Sequence, residues 1–460
     1  MRPSVGPKED KMKLSQLQSA VGGEIIGGDT EFIGAAYDSR EAFPGCLFVC
    51  LPGERTDGHN FIDSAAEKGA VAAICTKKVE TRIPYILVND SLKAFQEAAR
   101  IYASTLHIPT VAVTGSVGKT TTKEFIAAVL SRRFNVYKTE GNKNSTVGLP
   151  ATILNMPKTS TACVFEMGMS GFGEISALSR IARPDIAVIS NIGFSHIEFL
   201  GSRENIMKAK LEILDGMDDG GTLILNGDDE YLSKINPESL RQRVIYYGIG
   251  NRNAQFRAED ILGAEGVCSF FAETPNGVID VTIPTEGVHN VYNALSAIAV
   301  AQCLGLGNSE IKEGLLKFRN APLRQNIYEM NSMTIIEDCY NASPDSVVAA
   351  VNVLRTKNGR KIAVLGDMLE LGSHSEELHE MTGERIHGAD ILIAFGEFAE
   401  SYKRGAEKAG LNPSSVHTCK NAAEASQILR GIAARGDVIL FKASRAMHAE
   451  EIIEDLKNKA

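Results

Sequence analysis

The sequence predicts an α/β protein in three units: a small α/β unit over residues 12–107, a doubly wound unit over 108–318 and a Rossmann-like unit over 319–460. Three observations carry that prediction. A chain of 460 residues is too long to fold around a single apolar core. Short apolar runs alternate with amphipathic stretches from about residue 108, and the alternation restarts near 319, as in parallel sheets covered by helices. At the head of the middle unit an apolar run passes directly into a glycine loop and a helix, Thr110-Val-Ala-Val-Thr-Gly-Ser-Val-Gly-Lys-Thr-Thr-Thr-Lys-Glu-Phe-Ile126.

In the first unit, Leu14, Leu17 and Val21 fall on one face of a short helix. Leu47–Leu51, Val71–Cys75 and Ile86–Val88 read as strands, and Phe61–Lys68 reads as a helix. Residues 1–11 read as a loose leader. The loops carry two polar clusters, Asp38-Ser39-Arg40 and Gly53-Glu-Arg-Thr-Asp-Gly-His59. Such clusters usually cap turns, although Ser39 and Arg40 together suit a phosphate, which a guanidinium fork matches bidentately.

The middle unit continues with expected strands at 136–139, 162–165, 186–190, 222–225 and 244–247, short β-like pieces within 251–285, and a helix from about His289 to Leu304. In such sheets ligands sit beyond the carboxyl ends of the strands, where this chain has Glu140–Ser145, Glu166, Asn191–His196 and Asn226–Asp229. In the third unit strands are expected at 334–339, 361–365, 391–395, 416–418 and 438–441, with helices between them. Ser373 and Glu376 stand at capping-box spacing before one of those helices.

Net charge and composition narrow the partners. A formal charge of −9 with no clustered basic face argues against nucleic acid, so any anionic ligand has to be held locally. No apolar run approaches the roughly 18 residues of a membrane span and no signal-peptide core is present, which points to the cytoplasm. The eight cysteines show no Cys-x-x-Cys spacing and read as buried free thiols in a reducing compartment.

The glycine loop reads as a phosphate cradle. Gly115 and Gly118 let backbone N–H groups turn toward an anion at the helix N-terminus, Lys119 would reach the terminal phosphates of ATP, and the Thr120 hydroxyl would sit on Mg²⁺. Only the shorter Thr-Gly-x-x-Gly-Lys-Thr-Thr form is present, with Val113 where a longer form has glycine. Glu166 and His196 follow strands expected to be neighbours, which could bring both to those phosphates; the plainer readings are a helix cap for Glu166 and a loop histidine for His196. Lys210, in Ile206–Leu214, reads as a solvated lysine of an amphipathic helix. Asp338, Tyr340 and Asn341, with Arg324 ahead of them, could hold a ribose and base across a unit boundary.

Taken together these strings resemble the Mur ligases, ATP-dependent enzymes that extend the peptidoglycan precursor. The resemblance covers nearly the whole chain from about Lys13. It rests on Thr114–Thr121, Glu166–Ile175, Asn191–Ser202, His289-Asn290 with Asn293, Asp338-Cys-Tyr-Asn-Ala-Ser-Pro344 and Gly366-Asp-Met-Leu-Glu-Leu-Gly372. It implies a monomeric cytoplasmic ligase that uses ATP and Mg²⁺ to join D-alanyl-D-alanine to UDP-N-acetylmuramoyl-tripeptide through an acyl phosphate. The first unit would bind the UDP-sugar, and the middle unit would be a P-loop ATPase-like domain.

By the same likeness Thr114, Gly115, Ser116, Val117, Gly118, Lys119, Thr120 and Thr121 bind ATP, with Asn290, Asn293, Arg324, Asp338 and Asn341 around the nucleotide. Thr120, Glu166, His196 and Lys210 hold the metal, Lys210 as a carbamate formed with CO₂, and Lys119, Glu166, His196 and Lys210 carry the catalysis. Ser39, Arg40, Asn142 and Asn144 are assigned to the substrate.

The chain departs from the family pattern at Ser145, at Cys339 and Ser343, and in Lys442-Ala-Ser-Arg-Ala-Met-His448. None of these removes a group the chemistry needs. A ligase adding a single third amino acid would share the cradle, but its Asp-Asn-Pro-Arg motif is absent; folylpolyglutamate-type ligases lack the first unit and the Gly366–Gly372 string. A P-loop switch and an inactive paralogue fit less well, because Val113 replaces a glycine and because Lys119, Glu166 and His196 are all retained.

Overall fold

The computed structural model describes residues 12–53 and 56–458. The proposed leader 1–11 and, within the second polar cluster, Glu54 and Arg55 lie outside the described residues. The chain forms three main sheets, each built on parallel pairings, as the alternation of strands and helices predicts. Among the described residues no helix is long and apolar enough to cross a membrane.

The first sheet has five strands in the order Glu24–Ile26, Tyr85–Leu87, Ala72–Cys75, Leu47–Val49, Ala35–Ala36, antiparallel only at its first pair. Its longest helix, Ser91–Ser104, has no counterpart in the sequence reading, because its buried face is mostly alanine, which marks a core position less plainly than leucine. Asp90 caps it by accepting from Lys93 N, and Ala94, Phe95, Ala98 and Ala99 turn inward at helical spacing.

The central sheet has nine strands. Seven are joined by parallel pairings, with Thr110–Thr114 between Ala162–Glu166 on one side and Ile186–Ile189 on the other. The β-like pieces after residue 251 continue this sheet: Phe256–Ala264 pairs antiparallel with Val267–Thr274, which pairs with Gly277–Ile283. Val111, Ala112 and Val113 have no exposed surface, because helices cover both faces. On one face Lys119–Leu130 packs against Val288–Cys303, and the rings of Phe125 and Phe318 stack with centroids 3.6 Å apart.

The third sheet orders Asn326–Met330, Met333–Glu337, Val438–Lys442, Lys361–Gly366, Ile391–Phe395 and Val416–Cys419. Its first strand is an antiparallel edge that the sequence reading lacks. Asn331 and Ser332 form its two-residue turn with φ of 52° and 61°; Asn-Ser is a weaker hairpin signal than Asn-Gly. The capping box at Ser373 and Glu376 is absent. Gly372–His374 is a 3₁₀ turn and the helix begins at Ser375, so Ser373 lies inside that turn and cannot cap the helix. One apolar core runs from Leu14 through Ile197 and Val347 to Leu440, joining all three sheets.

Candidate active site

The cradle is held by the strand beside it. Gly115 has φ of 149°, and a Cβ there would stand 1.9 Å from Ser190 Oγ, so only glycine lets the loop pass that hydroxyl. Ser190 Oγ and Asn191 Nδ2 both donate to Val117 O, at 2.6 and 2.9 Å, while Val117 N donates to Asn191 Oδ1 at 2.9 Å. Gly118, at φ 83°, turns the chain into the helix. The first turn of a helix leaves amides without intrahelical partners, and here they open onto the cavity. Lys119 folds back over the loop, its Nζ donating to Gly115 O at 2.8 Å. Burial pushes its pKa down, and Arg324 adds to this while Glu166 and Glu370 oppose it.

A cavity of about 430 Å³ lies over this loop at the carboxyl ends of the strands. Its floor includes Ser116–Thr121, Asn144, Glu166 and His196, and its far wall comes from the third unit, with Arg324, Asp338, Tyr340, Asn341 and Lys442. Asn290 and Asn293 close one side, and Thr122 Oγ1 donates to Asn293 Oδ1 at 2.9 Å. The Arg324 guanidinium stacks 4.1 Å from the centre of the Tyr340 ring. Asp338 Oδ2 is 2.9 Å from Lys442 Nζ, which also donates to Asn341 O at 2.7 Å.

Glu166 and His196 reach the cradle from opposite sides, because their strands flank Thr110–Thr114 and are not neighbours of each other as the sequence suggested. The Glu166 carboxylate is buried; Oε1 accepts from Asn144 Nδ2 at 2.7 Å, and Oε2 has no hydrogen-bond partner. The buried Lys123 ammonium, 3.7 Å from Oε2, offsets part of the cost of burying that charge but leaves the oxygen without a hydrogen bond. His196 has φ of 65°, and its Nδ1 lies 2.7 Å from Glu370 Oε2, close enough for an ion pair but without the alignment of a hydrogen bond.

Lys210 is 1% exposed, which corrects its reading as a solvated lysine: its helix turns that face inward. Burial, and then the charge of Lys119, lower its pKa well below the ordinary lysine range. Its ammonium has no ion pair among the described residues.

Thr120, Glu166 and His196 all line the cavity beside the phosphate loop; the hydroxyl and the carboxylate are oxygen donors of the kind a hard divalent cation carried with a triphosphate takes, and the imidazole is a less usual one. Thr114 lies below the cavity, its Oγ1 donating to Met167 O at 2.9 Å. Asn142 is exposed outside the cavity. Ser39 and Arg40 also stand apart from it, with the Arg40 guanidinium on Asp38 at 2.6 Å.

Several residues at the site have no place in the sequence reading. Lys123, buried one turn beyond Lys119, donates to Thr139 O at 2.6 Å and stands 3.7 Å from Glu166 Oε2. Its i+4 spacing from Lys119 was the available signal. Gln325 Nε2 donates to Glu286 O at 2.8 Å, and nothing in its local sequence marks it. The Gly366–Gly372 string, noted only as a family mark, is a docking turn. Asp367 accepts from Glu397 N at 2.7 Å, Met368 N donates to His379 Nε2 at 2.9 Å, Leu369 N donates to Ser444 Oγ at 2.9 Å, and Glu370 meets His196.

Comparison with known proteins gives three family matches: "Mur ligase family, catalytic domain" over residues 31–120, "Mur ligase middle domain" over 113–301 and "Mur ligase, glutamate ligase domain" over 324–445. The UDP-N-acetylmuramoyl-tripeptide--D-alanyl-D-alanine ligase of Bacillus subtilis (strain 168) is 40% identical over 92% of this chain and 93% of its own length. Among solved structures, MurF from Acinetobacter baumannii superposes with a TM-score of 0.90 at 30% identity, covering 98% of this chain and 99% of that one. MurF ligase from Thermotoga maritima in complex with ADP gives 0.83 at 32% identity, covering 93% and 97%.

Proposed function

The chain belongs to the Mur ligase family, and from that premise we propose that it is the ATP-dependent ligase joining D-alanyl-D-alanine to UDP-N-acetylmuramoyl-tripeptide, with release of ADP and phosphate. The observation that carries this reading is the phosphate loop Gly115–Thr121 under a cavity that Glu166, His196 and Lys119 line together, with the Glu166 Oε2 accepting no hydrogen bond and paired only at 3.7 Å with Lys123.

A free carboxylate is a poor electrophile and its oxygen a poor leaving group. In the first step a carboxylate oxygen of the tripeptide attacks the γ-phosphorus, the bond to the β-phosphate oxygen breaks, and ADP departs. In the second the dipeptide amine attacks the acyl carbon; the tetrahedral intermediate expels phosphate and the amine loses its proton. Lys119 and the loop amides hold the transferring phosphoryl group and stabilise its charge. Mg²⁺ bound with ATP would be held by Thr120, Glu166, His196 and a carbamylated Lys210, and supplies charge neutralisation between two anions that must meet. Asn290, Asn293, Arg324, Asp338 and Asn341 take the adenosine side, and the wall from the third unit excludes water from the acyl phosphate.

The 12–107 unit takes the UDP-sugar end of the substrate, with Ser39 and Arg40 on its loops and Asn142 and Asn144 nearer the reacting end. The protein acts as a cytoplasmic monomer, and the units divide at about 107 and 318. Phosphate release from ATP tests the reading: it requires both UDP-tripeptide and D-alanyl-D-alanine, and Lys119→Ala lowers kcat on the order of 10²–10³-fold with the fold intact. Release that ignores either substrate, or near-normal turnover in that variant, overturns it.

A further inference from the structure

The first unit gathers three side chains that the ligase reading leaves unused. Cys50, His59 and Cys75 are buried, and one ligand atom from each lies within 4.8 Å of the others. Cys50 and Cys75 continue the register of two parallel strands, Val49 opposite Ile74, and their sulfurs stand 3.9 Å apart. His59 is brought to them by the 3₁₀ turn Gly58–Phe61. Because the three residues come from two strand ends and a turn, no Cys-x-x-Cys spacing announces them.

The imidazole is already in the form a metal requires. Its Nδ1 sits 2.5 Å from Asp57 Oδ1, and Lys77 Nζ holds Asp57 Oδ2 at 2.7 Å. Its Nε2 accepts from Thr76 N at 3.0 Å, so the lone pair is on Nε2 and the proton on Nδ1. A carboxylate behind a histidine fixes the ring and raises its basicity toward a cation on the other nitrogen.

We propose that Cys50, His59 and Cys75 form a binding site for a thiophilic d¹⁰ cation, with Zn²⁺ as the type ion. The sulfur separation of 3.9 Å is close to the edge of about 3.8 Å that two Zn–S bonds of about 2.3 Å span at the tetrahedral angle. Two thiols lose their protons to solvent on binding, and two thiolates with a neutral imidazole around Zn²⁺ make an electrically neutral set, which a buried position tolerates. One contact gives way: the Thr76 amide yields the Nε2 lone pair to the ion. The Thr76 hydroxyl, 3.4 Å from Nε2, offers an oxygen beside the fourth position. The site ties the ends of two strands to the turn between them, independently of the ATP cavity.

The test uses the full-length protein, stripped with chelator and titrated with Zn²⁺ against a chromophoric competitor and with Co²⁺ by absorbance. One equivalent of each binds, Co²⁺ shows a thiolate charge-transfer band, and Zn²⁺ raises the melting temperature. Cys50→Ser and Cys75→Ser each abolish the band, whereas the half-exposed Cys303 and Cys419 can be replaced without loss. Should the serine variants fail to fold, anomalous diffraction from crystals of the unaltered protein soaked in Zn²⁺ places the ion between the two sulfurs. No stoichiometric binding, a band that survives both serine variants, or a Cys50–Cys75 disulfide in the reduced-purified protein overturns the assignment. None of these readouts depends on ligase activity.

Discussion

His196 Nδ1 and Glu370 Oε2 stand 2.7 Å apart, and they join the loop after a central strand to the docking turn of the third unit. Both residues adopt left-handed backbone, with φ of 65° and 64°. Each such non-glycine residue costs about 1–2 kcal/mol, so the surroundings over-determine this contact. Glu198 N donates to Glu370 O across the same seam at 3.4 Å, and a Cβ at Gly372 would lie 2.9 Å from Glu198 Cγ.

If His196 holds the metal of the triphosphate as proposed, the Glu370 carboxylate at its Nδ1 orients the ring and leaves Nε2 for that metal. Loss of an orienting carboxylate typically weakens a metal site by roughly 10–100-fold. Glu370→Gln should raise the Mg²⁺ concentration needed for binding of a non-hydrolysable ATP analogue by about that factor, measured by equilibrium dialysis. Unchanged Mg²⁺ dependence would show that the pair only docks the units.

Lys210 is buried with a depressed pKa, so a larger share of it is the neutral amine that reacts with CO₂. Lys210→Ala should lower kcat on the order of 10²-fold or more, as for loss of one preorganised electrostatic group, with partial rescue by a small added carboxylate. Carbon-13 bicarbonate should give a carbamate resonance in the unaltered protein that the variant lacks.

Lys357 and Glu286 form a buried ion pair between the third unit and the central one, with side chains 8% and 7% exposed; Gly266 N also donates to Glu286 Oε1, at 2.7 Å. Removing one member strands the other. Lys357→Met should destabilise by about 3–5 kcal/mol in denaturant unfolding, and adding Glu286→Leu should recover much of that loss.

His379 has no exposed surface, and burial lowers its pKa to about 4. Its Nδ1 lies 2.6 Å from Ser375 O, Asp367 Oδ1 is 3.9 Å from Nε2, and the rings of Phe398 and Tyr402 pack on it. The unfolded chain protonates this histidine near pH 6.5 and the folded chain only near pH 4, so stability should fall by roughly 1.4 kcal/mol per pH unit between those values. In His379→Phe that part of the slope should disappear from thermal melts taken across the range.

The three-sheet α/β architecture was legible because parallel strands buried on both faces read as apolar runs. The cradle was legible because strand, loop and helix are contiguous in Thr110–Ile126. The Ser91–Ser104 helix escaped because alanine, not leucine, faces its core, and the Asn326–Glu337 hairpin because its turn is Asn-Ser. The partners of the chemistry were the hardest to read. Ser190, Glu370 and Gln325 meet their neighbours 73, 174 and 39 residues away, which no local spacing encodes. Lys210 was misjudged because a lysine on an amphipathic helix, two residues from Lys208 and from Glu212, reads as solvated until the helix is packed.

The acyl phosphate is the centre of the account, and an isotope experiment reaches it directly. UDP-N-acetylmuramoyl-tripeptide carrying oxygen-18 in its reacting carboxylate is incubated with ATP, D-alanyl-D-alanine and the enzyme, and the released phosphate is examined by phosphorus NMR. One labelled oxygen should pass to inorganic phosphate for each amide formed; phosphate free of label, with amide still produced, would contradict the mechanism.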